Sequence, residues 1–162
     1  MSRLDSFIRR LLAQRAAIDY AAGLIAGLEG PVLELGLGNG RTFDHLRERL
    51  PGREIFVFDR KLTAHPSSQP DAAHFIQGDF RESLPRALER LGAKAALAHC
   101  DIGSHDAAAS QALAAAIAPL LAPLMVPGGI VLGDQPMAQP GWRELTLPEG
   151  IESGRYFIYR AG

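Results

Sequence analysis

Three glycines spaced two apart, Gly36, Gly38 and Gly40, follow Glu34 in the run Glu34-Leu35-Gly36-Leu37-Gly38-Asn39-Gly40-Arg41. Glycine lets the main chain turn tightly and approach a ligand that a Cβ would hold off. Where such a turn opens a helix, the free amides of the first helical turn favour an anionic group. The spacing separates cofactors. A dinucleotide fingerprint beginning at Gly36 needs glycine at position 41, which is Arg41, and no lysine follows to make a phosphate-binding P-loop. Asp59 lies 23 residues beyond Gly36, near the interval of about 20 at which an acid meets a ribose. One carboxylate can accept from both ribose hydroxyls. Gly78, Asp79 and Phe80 place an acid beside an aromatic ring, and His99, Asp101, His105, Asp134 and Gln135 supply acid–base groups further along.

The elements that carry these groups follow from hydrophobic pattern. Short apolar runs at 31–35, 54–59, 73–77, 95–100 and 129–133 predict strands, and helical spacing covers 41–50 and 83–91. Ser104 offers an N-cap for a further helix to about Ala118, which Pro119 is expected to kink or end. Residues 60–72 are rich in proline and serine and read as a loop. Uniformly apolar strands alternating with helices suit a parallel sheet covered on both faces, an α/β protein of three layers. Each chemical group then falls just beyond the carboxyl end of a strand, where doubly wound sheets bind their ligands. The last two runs, 142–147 and 154–160, alternate polar with apolar and predict an antiparallel hairpin at the sheet edge. Residues 1–29 form an N-terminal helical segment, with Leu4, Phe7, Ile8, Leu11 and Leu12 at helical spacing.

Composition narrows the function classes. A chain of 162 residues makes one domain, here 1–162. The formal net charge of −1 argues against nucleic acid as partner or substrate. A single cysteine, Cys100, excludes a disulfide framework and a multi-cysteine zinc site, and its apolar strand predicts a buried, inert thiol. Arg9, Arg10 and Arg15 interrupt any signal-peptide core. The uncharged stretch 107–133 has the length of a membrane span, but Ser110, Gln111, three prolines and Gly128-Gly129 break it into a buried helix, a turn and a buried strand. A cytoplasmic protein with no membrane partner is expected. Arginine outnumbers lysine 15 to 2, a bias of GC-rich bacterial genomes. His45, His65 and His74 carry no spacing signal and read as surface or strand residues.

The motifs, taken in order, resemble those of the class I S-adenosylmethionine-dependent methyltransferases, and the chain is similar to small stand-alone bacterial members with no added substrate domain. The resemblance runs from about Val32 to Tyr159. It implies a Rossmann-like sheet, mostly parallel with an antiparallel C-terminal hairpin, and S-adenosyl-L-methionine as cofactor. Glu34, Gly36, Gly38, Asn39, Gly40, Asp59, Arg60, Gly78, Asp79, Phe80 and Asp101 would then form the cofactor site. In it Asp59 meets the ribose, Asp79 the adenine amine, Phe80 or Ile76 the ring, and Asp101 the methionine amino end. Arg41, Arg15 or Tyr20 would close on the methionine end.

For catalysis the same resemblance points to Asp101, His105 and Asp134. Asp101 and Asp134-Gln135 are similar to the magnesium ligands of catechol-type O-methyltransferases, with glutamine in place of asparagine, which leaves the metal open. A small-molecule acceptor is expected. Aminopropyl transfer on the same fold would want a longer chain and an acidic pocket. A non-catalytic regulatory or scaffold subunit that binds the cofactor is the alternative, because the connection 135–141 supplies little acceptor pocket. With no lid domain, a homodimer or larger assembly is expected, through the first helix and the hairpin edge.

Overall fold

The computed structural model describes residues 2–162. Its strands are β1 (Val32–Leu35), β2 (Ile55–Asp59), β3 (Phe75–Gln77), β4 (Ala95–Cys100), β5 (Met125–Gly133), β6 (Arg143–Glu144) and β7 (Phe157–Arg160). All of β1 and β4 is buried, the polar Glu34 and His99 included, as central strands covered on both faces require. The sheet runs β3-β2-β1-β4-β5-β7-β6. Strands β1 to β5 are parallel, while β7 is antiparallel to both its neighbours. The chain builds outward from β1 in one direction and from β4 in the other, so the switch point lies between them.

Alternation along the strands sorts the two faces. Val32, Val57, Leu97, Ile130 and Ile158 pack under α1 (Arg3–Leu24) and α2 (Arg41–Arg49). Leu33, Phe58, Ala98, Val131 and Tyr159 pack under α3 (Phe80–Leu91) and α4 (Ala107–Leu121). The face of each strand residue therefore decides which layer its side chain enters.

Several element ends differ from the sequence expectation. Helix α3 starts at Phe80 rather than Ser83, because the Asp79 side chain caps it by accepting from Arg81 N at 2.9 Å. Helix α4 is capped by Asp106, not Ser104, with the Asp106 carboxylate accepting from Ala109 N at 3.0 Å. It also continues through Pro119 to Leu121, held by the buried Ile117, Ala118 and Leu121, before the single turn Ala122–Leu124. Ala107–Leu124 is long and apolar enough to cross a membrane, but its buried side faces the sheet.

The C-terminal pair forms with unequal members. Strand β7 is an interior strand, with Ile158 buried on one face and Tyr159 on the other, whereas β6 is two exposed residues at the edge. Helix α1 differs most. A capping box joins Ser2 and Asp5 at its start, yet the residues it buries are Ala13, Gln14, Ala17, Ile18 and Ala21. Leu4, Phe7, Ile8 and Leu12 are exposed, because the first half of the helix overhangs the body of the protein.

Candidate functional site

The carboxyl ends of β1, β2 and β4 open into a groove with two limbs. The larger, 420 Å³, takes in Gly36, Asp59, Phe80, Ile102 and Leu113, and the smaller, 180 Å³, takes in Leu11, Gln14, Asn39, Arg41 and Thr42. Arg10, Gly38 and Asp101 line both.

The loop after β1 shapes this groove through two glycines with opposite roles. Gly36 has φ +89°, and a Cβ there would sit 2.3 Å from the Asp101 carbonyl oxygen, so it permits β1 and β4 to close. Gly38 has φ +53° and nothing within 4 Å of the position a Cβ would take, on a residue that lines both limbs. A side chain at Gly38 would occupy the groove itself. Asp59 braces this loop: one carboxylate oxygen accepts from Leu37 N at 2.8 Å and Gly38 N at 3.3 Å, and the other from Lys61 N at 3.3 Å. A carboxylate has about four acceptor positions, so Asp59 retains capacity toward the groove it lines.

Glu34 lies beneath the groove rather than in it. It is fully buried, accepting from the Thr42 hydroxyl through one oxygen and from His99 Nδ1 at 2.6 Å through the other. The second ring nitrogen of His99 pairs with the Tyr156 hydroxyl, also buried. His99, an acid–base candidate by sequence, thus faces the α1 layer and not an acceptor. Burial pushes its pKa down, but the Glu34 carboxylate, with smaller help from Asp101 and Asp134, outweighs that and holds it above the ordinary histidine value. Glu34 reaches the groove only through Thr42, which lines the smaller limb.

The second acid motif divides. Phe80 lines the larger limb, but Gly78 and Asp79 do not. Besides capping α3, Asp79 accepts from Arg60 at 2.5 Å. The Arg81 amide and the Arg60 guanidinium hold its carboxyl below the usual range. Arg60 lies beside Asp59 at the rim while paired to Asp79.

Of the three residues expected to do catalysis, Asp101 alone lines the groove. Asp101 lines both limbs, and its carboxylate accepts from Gln14 Nε2 at 3.0 Å, which docks α1 onto the groove floor. Asp134 accepts from Ile102 N at 3.2 Å and Gly103 N at 2.9 Å, so it secures the segment after β4 instead of facing an acceptor. Burial, then repulsion by Asp101, raises its pKa above the carboxylate norm. His105 is exposed on that segment and does not line the groove. Among the described residues, no group of three or more His, Cys, Asp or Glu side chains is arranged to hold a metal ion.

Other sequence candidates have structural partners. His45 pairs with Asp19, His65 with Ser67, and His74 with Asp71 and Glu54. Burial raises the Cys100 thiol well above its ordinary pKa and leaves it protonated. Arg10, Gln14, Thr42, Leu113 and Tyr156 carried no motif. Their roles come from elements distant in sequence meeting at the groove or beneath it.

A family model described as S-adenosyl-L-methionine methyltransferase matches residues 1–161. The chain belongs to this methyltransferase family. Its cofactor is S-adenosyl-L-methionine. This methyltransferase is 49% identical to the crystal structure of an S-adenosyl-L-methionine methyl transferase from Silicibacter pomeroyi DSS-3, with a TM-score of 0.96 over 100% of this chain and 99% of that one.

More distant structures share the fold alone. A putative caffeoyl-CoA O-methyltransferase from Staphylococcus aureus is 13% identical, with a TM-score of 0.63 over 90% of this chain and 83% of that one. Human N-acetylserotonin methyltransferase, solved in complex with SAM, is 16% identical, with a TM-score of 0.59 over 91% and 51% of the two chains. No curated protein matches the chain. The groove suits the cofactor: Gly38 leaves room where a Cβ would intrude, and Asp59 and Phe80 border one limb while Asp101 joins it to the other.

Proposed function

We propose that this methyltransferase transfers a methyl group from S-adenosyl-L-methionine to a small-molecule acceptor, with adenosine in the larger limb and the methionine tail in the smaller. The joining of the two limbs at Gly38 and Asp101 carries this reading. Bound there, the cofactor supplies an activated methyl group on a sulfonium. The chain's own residues bind and align. Asp59 accepts from the ribose, Phe80 and Leu113 flank the adenine, and Asp101, steadied by Gln14, meets the ammonium. Arg41 and Asn39, which both line the smaller limb, face the methionine carboxylate. Holding two reactants in line is itself a large part of catalysis.

The exposed Leu4, Ile8 and Leu12, four residues apart on α1, together with the short edge strand β6, support self-association into a homodimer or larger. The donor is an intracellular metabolite, which supports a cytoplasmic reaction. Calorimetry tests the binding: S-adenosylhomocysteine binds and NAD does not. Methyl release to a broad panel of acceptors tests the reaction. Tight cofactor binding without turnover would instead support a scaffold role, which the short connection between β5 and β6 favours.

A further inference from the structure

Arg10, on the third turn of α1, reaches the groove from its roof. It is one of three residues common to both limbs, and the other two, Gly38 and Asp101, belong to loops that follow the central strands β1 and β4. Its guanidinium lies 5.7 Å from the Phe7 ring centroid, and that of Arg41 lies 5.6 Å from the same ring. Cation–π contact of this kind orients a guanidinium without neutralising it. Among the described residues, arginine ion pairs run through Arg47, Arg49, Arg60, Arg81 and Arg155, and leave Arg10 and Arg41 with no carboxylate partner.

The charges at the junction point to what Arg10 meets. With Arg60 paired to Asp79, the groove presents two free guanidiniums, Arg10 and Arg41, against the carboxylates Asp59 and Asp101. The cofactor carries a sulfonium and an ammonium against one carboxylate, so the loaded groove keeps a net positive charge. One arginine serves the methionine carboxylate, and Arg41 lies in the smaller limb alone. Arg10 is common to both limbs and so borders their junction, where a reacting partner must meet the cofactor.

We propose that Arg10 recognises an anionic group, a carboxylate, on the methyl acceptor, so that the enzyme's substrates are small organic acids. This rests on the cofactor placement above. A guanidinium fork holds a carboxylate by two parallel hydrogen bonds, which sets orientation as well as affinity. The acceptor then presents its nucleophile at the junction.

The test uses the protein saturated with S-adenosylhomocysteine and titrates in benzoate, with benzamide as its neutral twin, followed by NMR and calorimetry. Benzoate is expected to saturate in the range of about millimolar Kd and benzamide not to bind; Arg10→Gln should weaken benzoate about tenfold or more, with S-adenosylhomocysteine affinity within about threefold of wild type. Arg10→Lys should recover part of the loss, because charge remains while the fork is gone. Equal binding of benzamide, no saturable binding of benzoate, or unchanged benzoate binding in Arg10→Gln overturns the proposal. A tenfold loss of S-adenosylhomocysteine affinity in Arg10→Gln also overturns it, by making the cofactor's carboxylate the partner of Arg10. Binding of 5′-methylthioadenosine, which lacks the methionine carboxylate, checks the adenosine limb separately. Its failure to bind the wild-type protein would refute the cofactor placement itself.

Discussion

Replacing Glu34 by glutamine removes one charge from a fully buried network while nearly keeping its shape. In the wild-type protein Glu34 accepts from Thr42 and from His99 Nδ1 at 2.6 Å, and His99 pairs with Tyr156. In Glu34→Gln the amide oxygen still serves Thr42, but the amide nitrogen faces His99 as a donor. His99, when protonated, donates through both ring nitrogens, so its Nδ1–H is left facing another donor. One orphaned buried donor costs about 1–3 kcal/mol. That is a large share of the roughly 5–15 kcal/mol by which domains are stable. Glu34→Ala, which also opens a cavity and leaves His99 without its partner, should cost about 3–5 kcal/mol.

The pH dependence carries the sharper signature. The folded-state pKa of His99 is raised, so its contribution is fully present below the unfolded value of about 6.5 and is lost as pH rises through the folded value. Without Glu34, burial dominates and favours the neutral ring, so acid now destabilises the variant. The stability gap between wild type and Glu34→Gln should therefore be wider at about pH 6 than in alkaline solution, narrowing as pH rises through the folded value. Urea unfolding followed by circular dichroism measures it, and taking the difference cancels the titration of other groups. A gap that is constant, or that widens toward alkaline pH, would refute the reasoning.

Other substitutions separate binding from folding. Gly38→Val should fold, at a cost of about 1–2 kcal/mol for a left-handed residue, yet lose cofactor binding by calorimetry, because its side chain projects into the groove. Gly36→Ala should instead lower the unfolding midpoint, since its Cβ meets the Asp101 carbonyl at 2.3 Å, and near-wild-type thermal stability would contradict that packing. Asp59→Ala should weaken S-adenosylhomocysteine by about 1–3 kcal/mol, through the lost ribose acceptor and the two loop amides it releases, and unchanged affinity would remove Asp59 from the site. Asp134→Ala should lower stability by about 1–3 kcal/mol, by orphaning the Ile102 and Gly103 amides, and a turnover defect without a stability defect would return it to a catalytic role. Light scattering at micromolar concentration should find a dimer or larger, and Ile8→Glu should shift the population toward monomer by placing a charge on the exposed apolar face of α1. An unchanged population in that variant would move the contact off α1.

Local features of the chain determined the strands, the glycine loop and the position of Asp59. An apolar run bounded by turn residues declares a buried strand, and glycine declares a backbone that needs positive φ, without reference to anything distant. Each of the five parallel strands overlaps its expected run, although β5 begins at Met125 instead of Gly129, and the carboxyl ends of β1, β2 and β4 carry the groove. Helix ends were less legible, because Asp79 and Asp106 competed as caps with nearby serines, and a cap is chosen by backbone geometry.

Tertiary structure alone decided what each polar side chain does. Asp101 and Asp134 both follow a buried strand, yet one lines the groove and the other binds main-chain amides. Glu34 stands two residues before the first glycine of the loop, but it is committed to Thr42 and to His99, 65 residues away. Arg10 enters the sequence reading only as a charge that interrupts a signal-peptide core, and becomes part of the groove only because α1 lies across it, docked through Gln14 on Asp101. The reason is physical: periodicity specifies which way a side chain leaves its own element, whereas its partner depends on the elements packed against that face, and those are set by the whole sheet order.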